Sequence, residues 1–481
     1  MPLALPLGLF LLVAAAAPER YDVVLRGGRV MDPETGLDAV RDVGIRGDAI
    51  ARISAEPLAG ARVLDARGLV VAPGFIDLHQ HQQDAAAYRL KALDGVTTAL
   101  ELEIGVPDVA RFLSERAGRS LIHHGAAASH PAARVAVLGA PLPAGAVVPP
   151  AGPATDTPAS PEQVARIRDT LRAELLAGGL GIGMGIAYTP GATRAEVIET
   201  FRLAGERRVP VFTHVRSSGR VEPGSSIEAV AEVIAAAAVT GASLHVVHIN
   251  SSGARDALEC LALVEGARAR GLDVTTEAYP YGAGMTAINS AIFNPGWREK
   301  MGLDYADLEL PDSGERLTRE RFEALHAAPE PRLVLVHVNP DAIVDAVIRH
   351  PLVMIASDGL GPHPRNAGTY ARVLSRYVRA QQSLTLMDAL RKMTLLPARR
   401  LETATAAARR KGRLQEGADA DVVVFDAASI ADRATYRSPA EPSVGVRFLL
   451  VAGTLVVDAG RIVDGVVPGR GLTSDRGTPA R

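Results

Sequence analysis

A single cysteine, Cys260, stands in a chain of 481 residues. One thiol forms no internal disulfide and builds no cysteine-rich metal site. It lies in "ARDALECLALVEGA", where its spacing among Leu and Val predicts the packed face of a helix. Lysine is almost as scarce: Lys91, Lys300, Lys392 and Lys411 are the only four, so nearly all the positive charge is arginine. None of these lysines ends a predicted strand. An excess of one charge is missing too. The net charge is −2, which leaves no basic footprint for nucleic acid. No segment is long and apolar enough to span a bilayer comfortably. The nearest, "MPLALPLGLFLLVAAAAPERYDVV", reads as a secretory h-region followed by small residues at Ala15 to Ala17, without the usual basic start. The expectation is a leader over 1–17 and a periplasmic or secreted protein, or a cytoplasmic one if there is no leader.

What is present supports a large core. Hydrophobic content is 47%, and the length suits a large barrel plus a second domain. From Tyr21 to Val71 the pattern is short and β-like, with Gly-Gly and Pro turns, as in "YDVVLRGGRVMDPETG". The same style returns in "ADVVVFDAA" and "VRFLLVAGTLVVDAGRIV". Residues 18–70 and 411–481 are therefore expected to form one composite β-sandwich domain. Between them, 71–410 alternates strands and helices, the pattern of parallel βα units.

Eight strands are predicted to end near Leu78, Glu103, Gly125, Ile186, His214, His248, Tyr279 and Asp358. Ser160-Pro161-Glu162-Gln163 reads as a capping box, and Thr193 with Glu196 and Ser225 with Glu228 repeat it. The expected fold is α/β, a (β/α)8 TIM-type barrel. "GAPLPAGAVVPPAGPATDTPAS" reads as a long loop, and an irregular stretch, roughly Gly282 to Pro331, interrupts the last repeats.

In such a barrel, chemistry sits at the C-terminal ends of the strands. The first strand ends in "FIDLHQH". His79 and His81, at i and i+2, share one strand face, so both imidazoles can reach one point about 2 Å away, the usual metal–nitrogen distance. Such a pair alone is a weak signal. Strand five, "VPVFTH", ends in His214; strand six, "SLHVVH", in His248; strand eight, "LVMIASD", in Asp358. One such residue could be a satisfied core side chain. Four His and an Asp at equivalent places in different strands point to a metal.

Two metals would need an anion between them. Barrels of this type can use a carboxylated lysine, but no lysine lies at a strand end here. "TTALELEIG" offers Glu101 and Glu103 on one face, opposite Leu100, Leu102 and Ile104. Glu103, nearer the strand end, is expected to be the ligand or bridge. Glu101 is expected to support a ligand from behind. His245, three residues before His248, is expected to face away. His123 and His124 are read as ending strand three in a structural or pocket-wall role, and His337 has no assigned role.

With these residues the chain resembles the amidohydrolase superfamily, "PGFIDLHQH" matching its first-strand signature. Within it, "GVTT", "HVRSSG", "HVVHINSSG", "YPYGAG" and "SDGLGPHPRNAGTYARVLSRYVR" are similar to the N-acyl-D-amino-acid deacylases. "LELEIG" with "FIDLHQHQQD" looks most like their D-glutamate deacylase branch. The resemblance implies one or two Zn2+ ions and a small N-acyl amino acid substrate. It implies that Asp358 is the acid–base group, taking a proton from a metal-activated water and giving it to the leaving amine.

Three departures stand out. Glu103 and Ile104 occupy the place of the better-known deacylases' metal-binding Cys. Asn250 replaces a Lys that binds substrate carboxylate, and Met285, followed by Thr286, replaces a Ser. Arg365 and Tyr279 are then the candidates for holding substrate carboxylate or carbonyl, with Asn250 beside them. The competing readings are cyclic amide opening of the hydantoinase or dihydroorotase kind, and a barrel kept only for binding.

Overall fold

The computed structural model describes residues 20–143, 145–328 and 330–477. The expected leader at 1–17 lies outside them. No helix among the described residues is long and apolar enough to cross a membrane.

All eight expected barrel strands are present: Phe75–Asp77, Val96–Val106, His123–Ser129, Ile182–Gly185, Val211–His214, Leu244–Val246, Val274–Ala278 and Val353–Ile355. They pair side by side in parallel in chain order. Just past the strand ends, Gln80 pairs with Gly359, bringing the eighth strand back to the first. Asp77 reinforces that seam by accepting from the Ser357 backbone N–H at 3.0 Å and binding the Lys91 ammonium at 2.9 Å. Both side chains of this ion pair are fully buried.

Strand three corrects one expectation. It opens, rather than closes, with His123 and His124, which therefore lie at the end of the barrel away from the metal-type residues. His123 holds Asp421 at 3.0 Å, and His124 pairs with Gly471 of the C-terminal tail. The polar His-His pair is pulled in by these contacts, and the Ala run that follows forms the strand.

The strands from the two ends of the chain form one nine-stranded sheet, with Val70–Pro73 at its centre. That short strand runs parallel to Arg20–Asp32 and antiparallel to Val422–Phe425, so it joins both termini. The expected two-part domain is thus a single sheet around a shared core that includes Val30, Val43, Val71, Val422 and Leu450. Only Gly74 separates the sheet from the first barrel strand. The last described residues leave the sheet and pack under the barrel, with the Leu472 N–H donating to the His124 carbonyl at 2.7 Å.

The capping boxes at Ser160 and Ser225 form as expected. Thr193 also caps its helix, but Glu196 does not complete a box. Its carboxylate is drawn instead to Arg134 and, at 3.0 Å, to His130, all three buried. Cys260 lies on the inner face of helix Ala257–Ala269, and burial pushes its thiol up to about 12.

Among the described residues, the stretch between strands seven and eight forms regular structure rather than the irregular one expected. Gly284–Ala287, Leu308–Glu309 and Leu333–Val336 make a three-stranded antiparallel sheet. Phe293, Trp297 and Phe322 pack beneath it in a separate small core. Self-contained burial of this kind lets an insertion hold its shape over the barrel mouth.

Candidate metal centre

A distortion of strand two presents Glu103. Strand two follows strand three in register from Thr98 to Glu101, then advances five residues to Val106 while strand three advances two. The surplus bulges over the mouth. Gly105 makes the kink at φ +70, and a Cβ there would sit 2.6 Å from the Ala127 carbonyl oxygen. Gly183 of strand four is equally confined, its Cβ position lying 2.7 Å from the Glu103 carbonyl oxygen. Small residues therefore let three strands crowd together where the carboxylate emerges.

Glu103 spans two groups of ligand-type atoms. Oε2 lies 3.0 Å from Nε2 of both His79 and His81, and Asp358 Oδ1 is 3.4 Å from the same two nitrogens. Oε1 lies 2.7 Å from His214 Nδ1 and 2.9 Å from His248 Nε2. Either group is compact enough to hold a metal ion, and Glu103 belongs to both. The six side chains predicted from strand ends thus converge at one place.

Three of the four far nitrogens are already engaged. His79 Nδ1 meets Glu277 at 2.6 Å, His81 Nδ1 meets Glu101 at 2.7 Å, and His248 Nδ1 meets Ser252 Oγ at 3.1 Å. A carboxylate on the outer nitrogen fixes the ring and strengthens the inner nitrogen as a metal ligand. Nε2 of His79 and His81 approach to 3.1 Å, and His214 Nδ1 and His248 Nε2 do the same. Buried lone pairs so close repel unless a cation stands with them. The donor set, imidazole nitrogens with two carboxylates, suits zinc.

The electrostatics agree. Burial disfavours charge on the His79 imidazole, but Glu103, Asp358 and Glu277 outweigh it and push it up to about 10. Burial would raise the Glu103 carboxyl, yet the surrounding imidazoles hold it well below the carboxylate range. Asp358 is likewise lowered, against burial, chiefly by Arg365 and then His79. The cluster therefore keeps its carboxylates ionised and attracts positive charge. Two members also have unusual backbones: His248 at φ 30 and Asp358 at φ 50 are left-handed without being glycine. Such strain costs about 1–3 kcal/mol each and persists where the surroundings demand it.

The three residues expected to meet substrate lie behind the cavity wall. In place of a substrate carboxylate, Arg365 meets Asp358 Oδ2 at 2.7 Å and is fully buried. Its guanidinium stacks over the Tyr279 ring at 4.7 Å. The Tyr279 hydroxyl accepts from Asn339 at 3.4 Å, and Asn250 donates to the Tyr279 carbonyl at 3.3 Å. A buried guanidinium needs a buried anion, and Asp358 is the one in reach.

His245, expected to face away, instead points into the barrel below the centre, with Nδ1 on Thr275 and Nε2 3.3 Å from Glu277, the carboxylate that also holds His79. His337 pairs with Glu309 inside the insertion. None of the four lysines stands between the two groups: Lys91 pairs with Asp77, Lys392 caps the His350 and Val353 carbonyls, Lys411 pairs with Asp421, and Lys300 lies on the rim.

Sequence reasoning missed two residues. Glu277 lies inside a strand two residues before Tyr279, the same signal that flagged Glu101 and Glu103. Burial favours its neutral form, but His79 and His245 hold its carboxyl at about 2. Tyr188, after strand four, lines the cavity and packs edge-on against His214 at 4.9 Å; nothing in its local pattern marks it.

The centre opens into a cavity of about 600 Å3 between the strand ends and the insertion. Its wall includes His81, Glu103, His214, His248 and Asp358.

The Amidohydrolase family pattern matches residues 242–457. The N-acyl-D-glutamate deacylase of Alcaligenes xylosoxydans xylosoxydans is 34% identical over 482 residues, covering 91% of this chain and 94% of its own. The D-aminoacylase of the same organism is 30% identical over 483 residues, with the same coverage of 91% and 94%. The crystal structure of N-acyl-D-glutamate deacylase from Bordetella bronchiseptica, complexed with zinc and a phosphonate that mimics the tetrahedral intermediate, superposes with a TM-score of 0.79. That similarity is at 29% identity over 95% of this chain and 100% of that one.

Proposed function

The chain belongs to the amidohydrolase family, within its N-acyl-D-amino-acid deacylases, and from that premise we propose that it is a zinc-dependent deacylase of N-acyl-D-amino acids, N-acyl-D-glutamate among them. The observation that carries the reading is the reach of Glu103 to all four imidazoles. His79, His81, Glu103 and Asp358 would hold one ion; Glu103, His214 and His248 would hold a second. Zinc at this centre supplies Lewis acidity, polarising the amide carbonyl and making water acidic near neutral pH.

The protein's own groups then handle the protons. Asp358, kept ionised by Arg365, accepts a proton as the water oxygen bonds to the carbonyl carbon. The C–N bond breaks and Asp358 returns the proton to the departing amine. A carboxylate and a D-amino acid are left. Glu101 and Glu277 keep His81 and His79 aimed inward throughout. Arg365 acts as a positioning residue, with Tyr279 stacked behind it and Asn250 supporting the Tyr279 backbone.

The test is a stereochemically paired screen of N-acyl amino acids, with a cyclic ureide alongside, run with and without chelator. D-substrates should be hydrolysed, and chelation should stop the reaction. Preference for the cyclic ureide would replace this reading with a hydantoinase-like one. Zinc uptake without turnover of any amide would leave a binding barrel.

A further inference from the structure

The cavity is larger and more apolar than a small N-acetyl amino acid requires. A cavity of about 600 Å3 falls within the roughly 300–1,000 Å3 of clefts that bury drug-sized ligands, whereas an N-acetylated amino acid of glutamate's size has only about thirteen non-hydrogen atoms, which leaves room for several more. The direction of the extra space follows from Asp358. If that carboxylate protonates the leaving amine, the amino-acid half lies at strand eight. The acyl half then points across the mouth, and in a closed barrel strand four lies opposite strand eight.

On that far side the wall is aliphatic: Val147, Val148, Ala187, Ala291 and Ile292. The patch is built from two segments tied together. Ala151 donates its backbone N–H to the Asn289 carbonyl at 2.8 Å, Pro150 pairs with Ser290, and Asn294 reaches Asp156 at 3.0 Å. The long loop after strand three and the insertion thus form one apolar surface. Of the cavity's cations, Arg194 and Lys300 are exposed and Arg216 is paired with Glu232 at 2.6 Å.

We propose that this surface is an acyl-chain subsite and that the preferred substrates are N-acyl-D-amino acids with acyl chains of about six to nine carbons rather than acetyl. The inference rests on the deacylase reading above. Each methylene moved from water onto an apolar wall favours binding by up to about fourfold. Complementarity to the transition state carries that gain into kcat/KM.

The experiment is a chain-length series of one D-amino acid acylated with acetyl, butyryl, hexanoyl, octanoyl and dodecanoyl groups, on the zinc-loaded enzyme. The expected result is a kcat/KM that rises about two- to fourfold per methylene towards octanoyl and then levels off. The octanoyl-to-acetyl ratio should exceed about 50. Val148→Asn and Ile292→Asn should each lower that ratio several-fold. The wild-type series is decisive even if a variant fails to fold. Acetyl hydrolysed as well as octanoyl overturns the subsite and leaves the deacylase reading standing. A steep series that neither substitution flattens overturns the placement of the acyl chain on this wall. No hydrolysis of any N-acyl-D-amino acid removes both readings.

Discussion

Replacing Glu103 by Gln tests the centre most directly, because it keeps the shape of the side chain and removes its charge. Two dications about 3.5–4 Å apart repel by about 18 kcal/mol at an effective dielectric constant of about 20. A carboxylate with half its charge on each oxygen, one oxygen about 2 Å from each ion and the other about 4 Å away, returns about 12 kcal/mol per ion on the same scale. The amide of Gln returns almost none of this, so the repulsion stands unopposed. Glu103→Gln should therefore hold at most one zinc per chain where the native protein is expected to hold two.

Glu101→Gln is the control, because Glu101 touches only the outer nitrogen of His81 and the strand-two backbone. Losing such an outer partner costs about 10–100-fold in affinity or activity. Zinc content after dialysis and deacylase rates, measured on both variants, decide the matter. Retention of two ions by Glu103→Gln refutes the bridging argument. A larger loss from Glu101→Gln in both measurements moves the bridging role to Glu101.

Two further outcomes follow from Asp358. Asp358→Asn should lower kcat by about 10²–10⁴-fold, the usual worth of a positioned acid–base group, while zinc content stays high because the other ligands remain. Near-normal kcat would remove the acid–base role. Arg365→Met should shift the acid limb of kcat/KM to higher pH. Arg365 is the main charge depressing the Asp358 carboxyl; without it the pKa rises, and the ionised base is lost at a higher pH. A rate loss with an unmoved pH profile would make Arg365 merely structural.

The barrel was legible because its signals are local. Apolar runs that stop at His79, His214, His248 and Asp358 repeat at the spacing of βα units, and a polar side chain closing a buried strand needs a partner wherever it occurs. Glu103 could be chosen over Glu101 by height on the strand alone, and both carboxylates are indeed buried. The ordered insertion was not legible. Its strands are short, and their pairing joins residues about fifty positions apart, from Gly284–Ala287 to Leu333–Val336.

The single terminal sheet and the role of Arg365 belong to the same class. Local patterning identified strands at both ends of the chain, but their union through Val70–Pro73 is a long-range pairing. Arg365 read as a free fork for a substrate carboxylate because its own neighbours offer no anion. Folding buries it beside Asp358, and the cost of an unpaired buried charge decides the partner. By itself the sequence determined that His79, Glu103, His214, His248 and Asp358 would stand at the strand ends, since that depends on period and polarity, but it put His123 and His124 at the wrong end of theirs. Only the tertiary structure decided which of them face the cavity and which stand behind it, because that choice depends on how buried charges from distant segments neutralise one another.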